Sequence, residues 1–103
     1  MEIDKLGRFA DPGVLILSSL AGGDKHGWAL IKDIEQFADV RLGPGTLYGA
    51  LSRLEADGLV EPLPAEDRRR PYRLTTRGAQ ALRAYLAHAR AVANTGLRRL
   101  AQA

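Results

Sequence analysis

Two groups of side chains in this 103-residue chain have the types and spacing to bind anions. The first lies in GPGTLYGALSRLEADGLV, Gly43 to Val60, where Thr46, Tyr48, Ser52 and Arg53 place hydroxyls, a phenol and a guanidinium within a few helical turns. The second is Arg68, Arg69 and Arg70 in DRRRPYR. Donors of this kind grip phosphate oxygens, and an arginine reads the O6 and N7 acceptors of guanine in the major groove. The residues that could do covalent chemistry are less well placed. Ser18 and Ser19 have no adjoining base and sit in an apolar stretch, which leaves nucleophilic catalysis without support. His26 and His88 have no carboxylate or second histidine at metal-ligand spacing, so no metal is expected on either. The absence of cysteine excludes disulfides, thiolate metal sites and a cysteine nucleophile. A binding protein without metal or cofactor is the expectation, not an enzyme.

The charge distribution agrees. Fifteen Lys and Arg stand against twelve Asp and Glu, for a net charge of +3. After Pro64 the only acids are Glu66 and Asp67, while arginine recurs from Arg68 to Arg99. A basic C-terminal part suits double-stranded DNA as the partner. MEIDKLGRF carries acids and lacks the apolar core of a signal peptide, and the longest apolar run, Val14 to Leu17, is far too short to span a bilayer. A cytoplasmic protein with no membrane partner is expected.

The elements that must position these groups follow from periodicity and punctuation. Asp11-Pro12 opens a first helix that runs to about Ala21 and is nearly apolar through Val14, Leu15, Ile16, Leu17 and Leu20, before Gly22-Gly23 ends it. Ile3, Leu6 and Phe9 suggest an additional helical arm ahead of it. A second helix begins near His26 and continues to about Ala38, with Leu30, Ile34 and Phe37 as its core stripe and Trp28 and Ile31 beside them. The third starts at Gly43-Pro44 and stops at Gly58, its inner stripe being Leu47, Ala50, Leu51 and Leu54. Leu59 to Leu63 and Tyr72 to Leu74 read as two strands of a hairpin joined by a charged loop, with Pro62 tolerable only on an edge. Tyr72 alternates with Leu74, which places its ring on the core face. Thr75 or Thr76 caps a last helix from about Arg77 to Leu100. The fold class is therefore mostly α with a small β-hairpin: a winged helix-turn-helix over residues 1–76 with a long C-terminal dimerisation helix over 77–103, all in one compact domain.

With the leucine stripe inside, Gly45, Gly49, Ser52 and Ala56 point directly outward from the third helix. All four are small. Thr46 and Arg53 flank this floor on one side, and Tyr48 and Glu55 on the other. Glycine is costly inside a helix, so the strip must either pack against another helix or lie close against a nucleic-acid groove. The adjoining arginines favour the groove, with Gly45, Thr46, Tyr48, Gly49, Ser52, Arg53 and Arg68 to Arg70 as the DNA-binding set. A winged-helix module that binds an acidic protein through the same face is the alternative.

The last helix would be roughly 35 Å long at 1.5 Å per residue, more than the body of the domain can cover. Leu82, Leu86, Ala89, Ala93, Leu97 and Leu100 repeat at alternating spacings of four and three, the seam of a helix that pairs with a second copy. Asn94, Thr95 and Gly96 weaken the helix before its last turn.

PGTLYGALSRLEADGLV followed by RRRPYRLTTRG resembles the PadR-type family of bacterial transcriptional regulators, and HGWALIKDIE resembles the second helix of that family. The likeness runs from about Val14 to Leu86, with Gly43 in place of the more usual serine cap and Trp28 where tyrosine is often found. It implies a homodimeric, usually repressive DNA-binding protein whose third helix enters the major groove, whose wing touches flanking backbone and whose terminal helix supplies most of the dimer interface. Under that resemblance Thr46 and Tyr48 hold phosphate, Ser52 and Arg53 face bases, and Arg68 to Arg70 form a variable wing tip. It also implies a small-molecule effector, for which Trp28 at the dimer interface is the one candidate, although a lone tryptophan in a small domain is more often core.

Overall fold

The computed structural model describes residues 11–103. The expected arm at Ile3, Leu6 and Phe9 lies outside the described residues.

Helix α1 (Pro12–Leu20) begins as the Asp-Pro pair requires: Asp11 Oδ1 accepts the Gly13 N–H at 2.8 Å and Pro12 takes the first helical position. It is the central helix, burying Leu15, Ile16, Leu17 and Leu20 against α2 (Gly27–Ala38), α3 (Pro44–Ala56) and the start of α4 (Thr76–Gln102). Ile16, Leu30, Ile34, Leu47 and Leu51 are fully enclosed and form the centre of the core. Leu47, Ala50 and Leu51 face inward from α3, with Leu54 half-buried, as the sequence stripe predicts.

Two aromatic residues assigned to the buried side of α2 are not buried. Phe37 is 51% exposed and Trp28 is 59% exposed. Phe37 lies three residues after Ile34, but in the last turn the position that packs against the core is the next one, Ala38, four residues after Ile34. Trp28 stands in the first turn with the Lys32 ammonium 5.9 Å from its ring centroid, a cation–π contact at the surface. Trp28 is therefore not the core residue that a lone tryptophan usually is. The helix ends on Asp39 in the left-handed conformation at φ 55°, a position that aspartate tolerates better than most residues.

The expected hairpin is the larger part of a three-stranded antiparallel sheet. Between α1 and α2, β1 (Lys25–His26) pairs with β3 (Pro71–Leu74), which also pairs with β2 (Val60–Pro62), giving the order β1-β3-β2. Pro62 thus lies on an edge strand, where no ladder hydrogen bond is lost. The added strand is tied to the helices by side chains. Lys25 Nζ donates to the Ser19 carbonyl at 2.5 Å and lies 3.9 Å from Asp33 Oδ2, which accepts the buried Ser19 hydroxyl at 2.6 Å. Tyr72 and Leu74 pack against the core from β3, whereas Arg73 points outward to Glu61 on the neighbouring strand.

The two ends of the wing are fixed by caps. Gly58 adopts φ 75°, and the Leu59 N–H to Leu54 carbonyl and Gly58 N–H to Glu55 carbonyl bonds, 2.9 and 3.0 Å, close α3 in a Schellman motif. Thr75 Oγ1 accepts the Gly78 N–H at 2.9 Å and donates to the Gly58 carbonyl at 2.7 Å, so one hydroxyl caps α4 and fastens it to the end of α3. Beyond Leu82 the helix leaves the core. It continues unbroken through Asn94, Thr95 and Gly96, and the long axis of the molecule reaches 55 Å.

Candidate nucleic-acid interface

The outer face of α3 is open. Gly45, Thr46, Tyr48, Ser52, Arg53 and Ala56 are exposed and Gly49 is partly so. A Cβ built on Gly45 would meet nothing within 4 Å, and one built on Gly49 would meet only Arg53 Nη1 at 3.7 Å. Among the described residues, then, no element packs on this strip, and the fold itself does not need these two positions to be glycine. Gly43 offers no side-chain cap, so the first-turn N–H groups of Gly45 and Thr46 are left for an outside acceptor. Arg53 stands one turn beyond Gly49 on the same surface.

The wing reaches the same side. Its tip is not the open loop that the charge run suggests: Glu66 and Arg69 bridge, with the Glu66 N–H to Arg69 carbonyl and Arg69 N–H to Glu66 carbonyl bonds at 2.7 and 2.8 Å. Asp67 and Arg68 complete the turn with φ of 49° and 68°, the pattern of positive angles that suits the twist of a hairpin. Arg68 is consequently held at the point of a short, ordered prong, followed by Arg69 and Arg70. Arg70 Nη1 donates to the Leu63 carbonyl at 3.3 Å. The ion pairs among the described residues are Lys25–Asp33, Arg41–Glu35 and Arg73–Glu61, which leaves Arg53 and the three wing arginines without a carboxylate partner.

At the wing root, burial pushes the Tyr72 phenol above its usual range, with Glu55 and Tyr48 adding to the shift and Arg70 opposing it. Tyr72 thus marks where β3, α3 and the wing arginines converge. Two residues next to this junction escaped the sequence reading as parts of the site. His26 caps α2 through a long 3.5 Å bond from the Ala29 N–H to Nδ1, and together with Gly27 it borders a cleft shared by Tyr48 and the wing arginines. The sequence signal for them is HGW, whose histidine and glycine stand at the start of α2. Trp28 borders this cleft and a second one formed by α2 residues with Asp39 and Arg41, and neither contains a residue of α4. The proposed effector residue and the proposed dimer seam therefore lie apart within one chain.

Along that seam Leu82 is buried, Ala89 is half-buried, and Leu86, Ala93, Leu97 and Leu100 are exposed, the last two by 67% and 74%. An apolar groove beside it, about 370 Å³, is lined by Leu74, Leu82 and Leu86 with Arg83 and Arg90 among its borders.

Three core helices whose third presents an open face, followed by a wing of antiparallel strands, define a winged helix-turn-helix protein. The description "Transcriptional regulator PadR-like family" matches residues 16–84. The chain belongs to that family. It is 51% identical over 75 residues to an uncharacterized 37.1 kDa protein in transposon TN4556 of Streptomyces fradiae, covering 73% of this chain and 22% of that protein. It is 43% identical over 70 residues to the transcriptional regulator Rv3488 of Mycobacterium tuberculosis, covering 65% of this chain and 64% of that one. The chain thus spans less than two thirds of the length of these two relatives. Among solved structures it is similar to a PadR family transcription regulator from Clostridium difficile R20291, with TM-score 0.78, 25% identity, and 91% and 99% of the two chains covered. A complex structure of hsRosR-S4 matches with TM-score 0.68 and 28% identity over 75% of this chain and 67% of that one. None of the helices of the described residues is long and apolar enough to cross a membrane.

Proposed function

We propose that this transcriptional regulator is a cytoplasmic homodimer that represses by occupying promoter DNA. Residues 1–76 carry the DNA contacts and 77–103 the pairing helix. The observation that carries the reading is the open floor of α3: Gly45 and Gly49 have empty space above them, while Thr46, Tyr48, Ser52 and Arg53 border them as free donors. Thr46 and Tyr48 hold phosphate, Arg53 and Ser52 meet base edges, and the wing prong of Arg68 to Arg70 holds the flanking backbone. The exposed leucines of α4 support pairing with a second copy, because an apolar seam of this length has nothing else to bury it among the described residues. A two-fold dimer then reads half-sites about one helical turn apart, roughly 10 bp or a small multiple.

Release by a small molecule that alters the spacing of the two α3 helices belongs to the same reading and rests on family membership alone. Selection of genomic fragments by the purified protein, followed by binding titrations of the recovered duplex at several salt concentrations, tests the proposal. Specific binding that weakens steeply with salt is the expected result. No duplex binding at low salt would favour the alternative, a module that docks an acidic protein on α3 and the wing.

A further inference from the structure

Gly27 opens α2, is buried, and faces the first turn of α3. A Cβ at this position would overlap the Tyr48 hydroxyl, fall 2.8 Å from its Cζ and stand 3.3 Å from Leu47 Cδ2. The phenol of Tyr48 therefore lies directly on the backbone of Gly27, in space that any other residue would fill. That seat fixes where the hydroxyl points. No hydrogen bond among the described residues occupies it, and half of the Tyr48 surface is exposed.

From this seat the phenol forms one wall of a cleft of about 260 Å³ whose other walls include His26, Trp28 and Arg68 to Arg70. The cleft on the Tyr48 side has three arginines and no carboxylate in its walls; Glu66 and Asp67, with Arg69, line a neighbouring cleft that shares His26. A concave site with a fixed hydroxyl donor, an indole, and guanidinium groups free of acidic partners suits one compact anion with several acceptor oxygens.

We propose that this cleft seats a single backbone phosphate of duplex DNA, and that Gly27 is a positioning residue that aligns the Tyr48 hydroxyl with it. The inference deepens the DNA-binding reading and depends on it. The phosphodiester is favoured over a free anion because the cleft adjoins the outer face of α3, so a duplex lying on Gly45 and Gly49 brings its backbone to Tyr48. It also explains why HGW and LY are joined in this fold: the glycine of one is the platform for the tyrosine of the other. An alanine at position 27 need not unfold the protein, since the obstructing atoms are the far end of one exposed side chain and Leu47 has only tenths of an ångström to yield.

The test is a double-mutant cycle read by fluorescence anisotropy on a duplex recovered with the wild-type protein, with thermal melts of each variant. Gly27→Ala and Tyr48→Phe are each expected to weaken binding by about tenfold per half-site, the loss of one charge-assisted hydrogen bond from each recognition helix, or about a hundredfold for the dimer. The double variant is expected to bind no more weakly than either single one, because displacing a phenol without its hydroxyl costs nothing further. Losses that multiply, or a Gly27→Ala variant with unchanged affinity, would overturn the positioning role. A second measurement does not depend on how Gly27→Ala folds. Neutralising one phosphate position at a time, in both half-sites together, by methylphosphonate substitution should reveal one position at which Tyr48→Phe no longer weakens binding. If no single phosphate has this effect, the cleft does not hold one. Failure of the wild-type protein to bind any duplex is a different outcome, and would overturn the DNA reading together with the cleft's role.

Discussion

Gly49→Leu separates the two explanations of the α3 floor because they predict opposite signs for stability. Gly49 is interior to a 13-residue helix, and its added Cβ meets only the far end of Arg53 at 3.7 Å, ordinary contact distance. Replacing glycine by a good helix former in a helix interior stabilises by about 0.8 kcal/mol, and in a domain near 100 residues about 1 kcal/mol raises Tm by about 4–8 °C. The variant should therefore melt a few degrees higher than the wild type. Its effect on DNA binding should be the reverse. A leucyl side chain on the floor lifts α3 off the groove, forfeiting the Arg53 base contact, worth about 1–3 kcal/mol, and a phosphate bond beside it, worth about 1.5–3 kcal/mol. Together these are about 3 kcal/mol or more per recognition helix, a loss beyond a hundredfold in affinity. Gly49→Ala should share the thermal gain with a much smaller loss of binding. Differential scanning calorimetry and anisotropy titrations on the same preparations provide both readings. A leucine variant that melts several degrees below the wild type would show that the strip packs against protein. One that melts higher and binds DNA as tightly would show that α3 enters no groove at this point.

Other substitutions probe separate links. Arg53→Ala should cost about 1–3 kcal/mol at one base position and relax specificity there, as competition among single-base operator variants will show; equal loss on specific and random DNA would contradict base reading. Gly78→Ala should destabilise by about 3 kcal/mol, because its Cβ would run into the Leu59 carbonyl, backbone that cannot swing aside, and lie 2.8 Å from Leu74 Cδ1; a urea midpoint close to the wild type would refute this. Leu97→Asp, on a surface 67% exposed within one chain, should leave the secondary structure intact and yield a monomer at micromolar concentration by sedimentation equilibrium if α4 is the dimer seam. Burial raises the folded-state pKa of Tyr72, so its stabilising contribution is complete below the ordinary phenol range near pH 10 and is lost as pH rises through the higher folded value. Tyr72→Phe should accordingly flatten the alkaline loss of stability in thermal melts above pH 10.

What the sequence made legible was local. The Asp11 cap, the Pro44 start and the Gly58 stop each act through bonds spanning a few residues and stand where composition placed them, and of the two threonines offered as the α4 cap it is Thr75 that caps. The inward and outward sides of α3 were equally readable, since a buried leucine stripe fixes the rotation of the whole helix. The losses came from terms that a local pattern does not contain. β1 is two residues long and exists because β3 supplies partners and because Lys25 reaches Ser19 and Asp33, contacts between separate elements. Phe37 stands at a spacing compatible with burial, but at the end of α2 the core side is taken by its neighbour Ala38, a choice that packing and not spacing makes. The wing-tip turn was hidden because Asp67 and Arg68 take positive φ without the Asn-Gly or Asp-Gly signal that announces such turns.

Glycine makes the same point more sharply, because one residue type serves three physical ends here that look identical in the sequence. At Gly58 the requirement is a backbone angle, φ 75°, since a Cβ there would meet only Arg77 Cδ at an ordinary contact distance of 3.9 Å. At Gly27 and Gly78 the requirement is close approach, by a tyrosine ring in one case and a backbone carbonyl in the other. Gly45 and Gly49 meet neither description: their helical geometry suits any residue, and nothing among the described residues crowds them. A glycine that costs helix stability and returns nothing inside the chain points to a surface outside it. In a domain where that empty strip is bordered by Thr46, Tyr48 and Arg53 and lies beside three arginines with no acidic partner among the described residues, the outside surface we propose is the phosphate-lined groove of DNA.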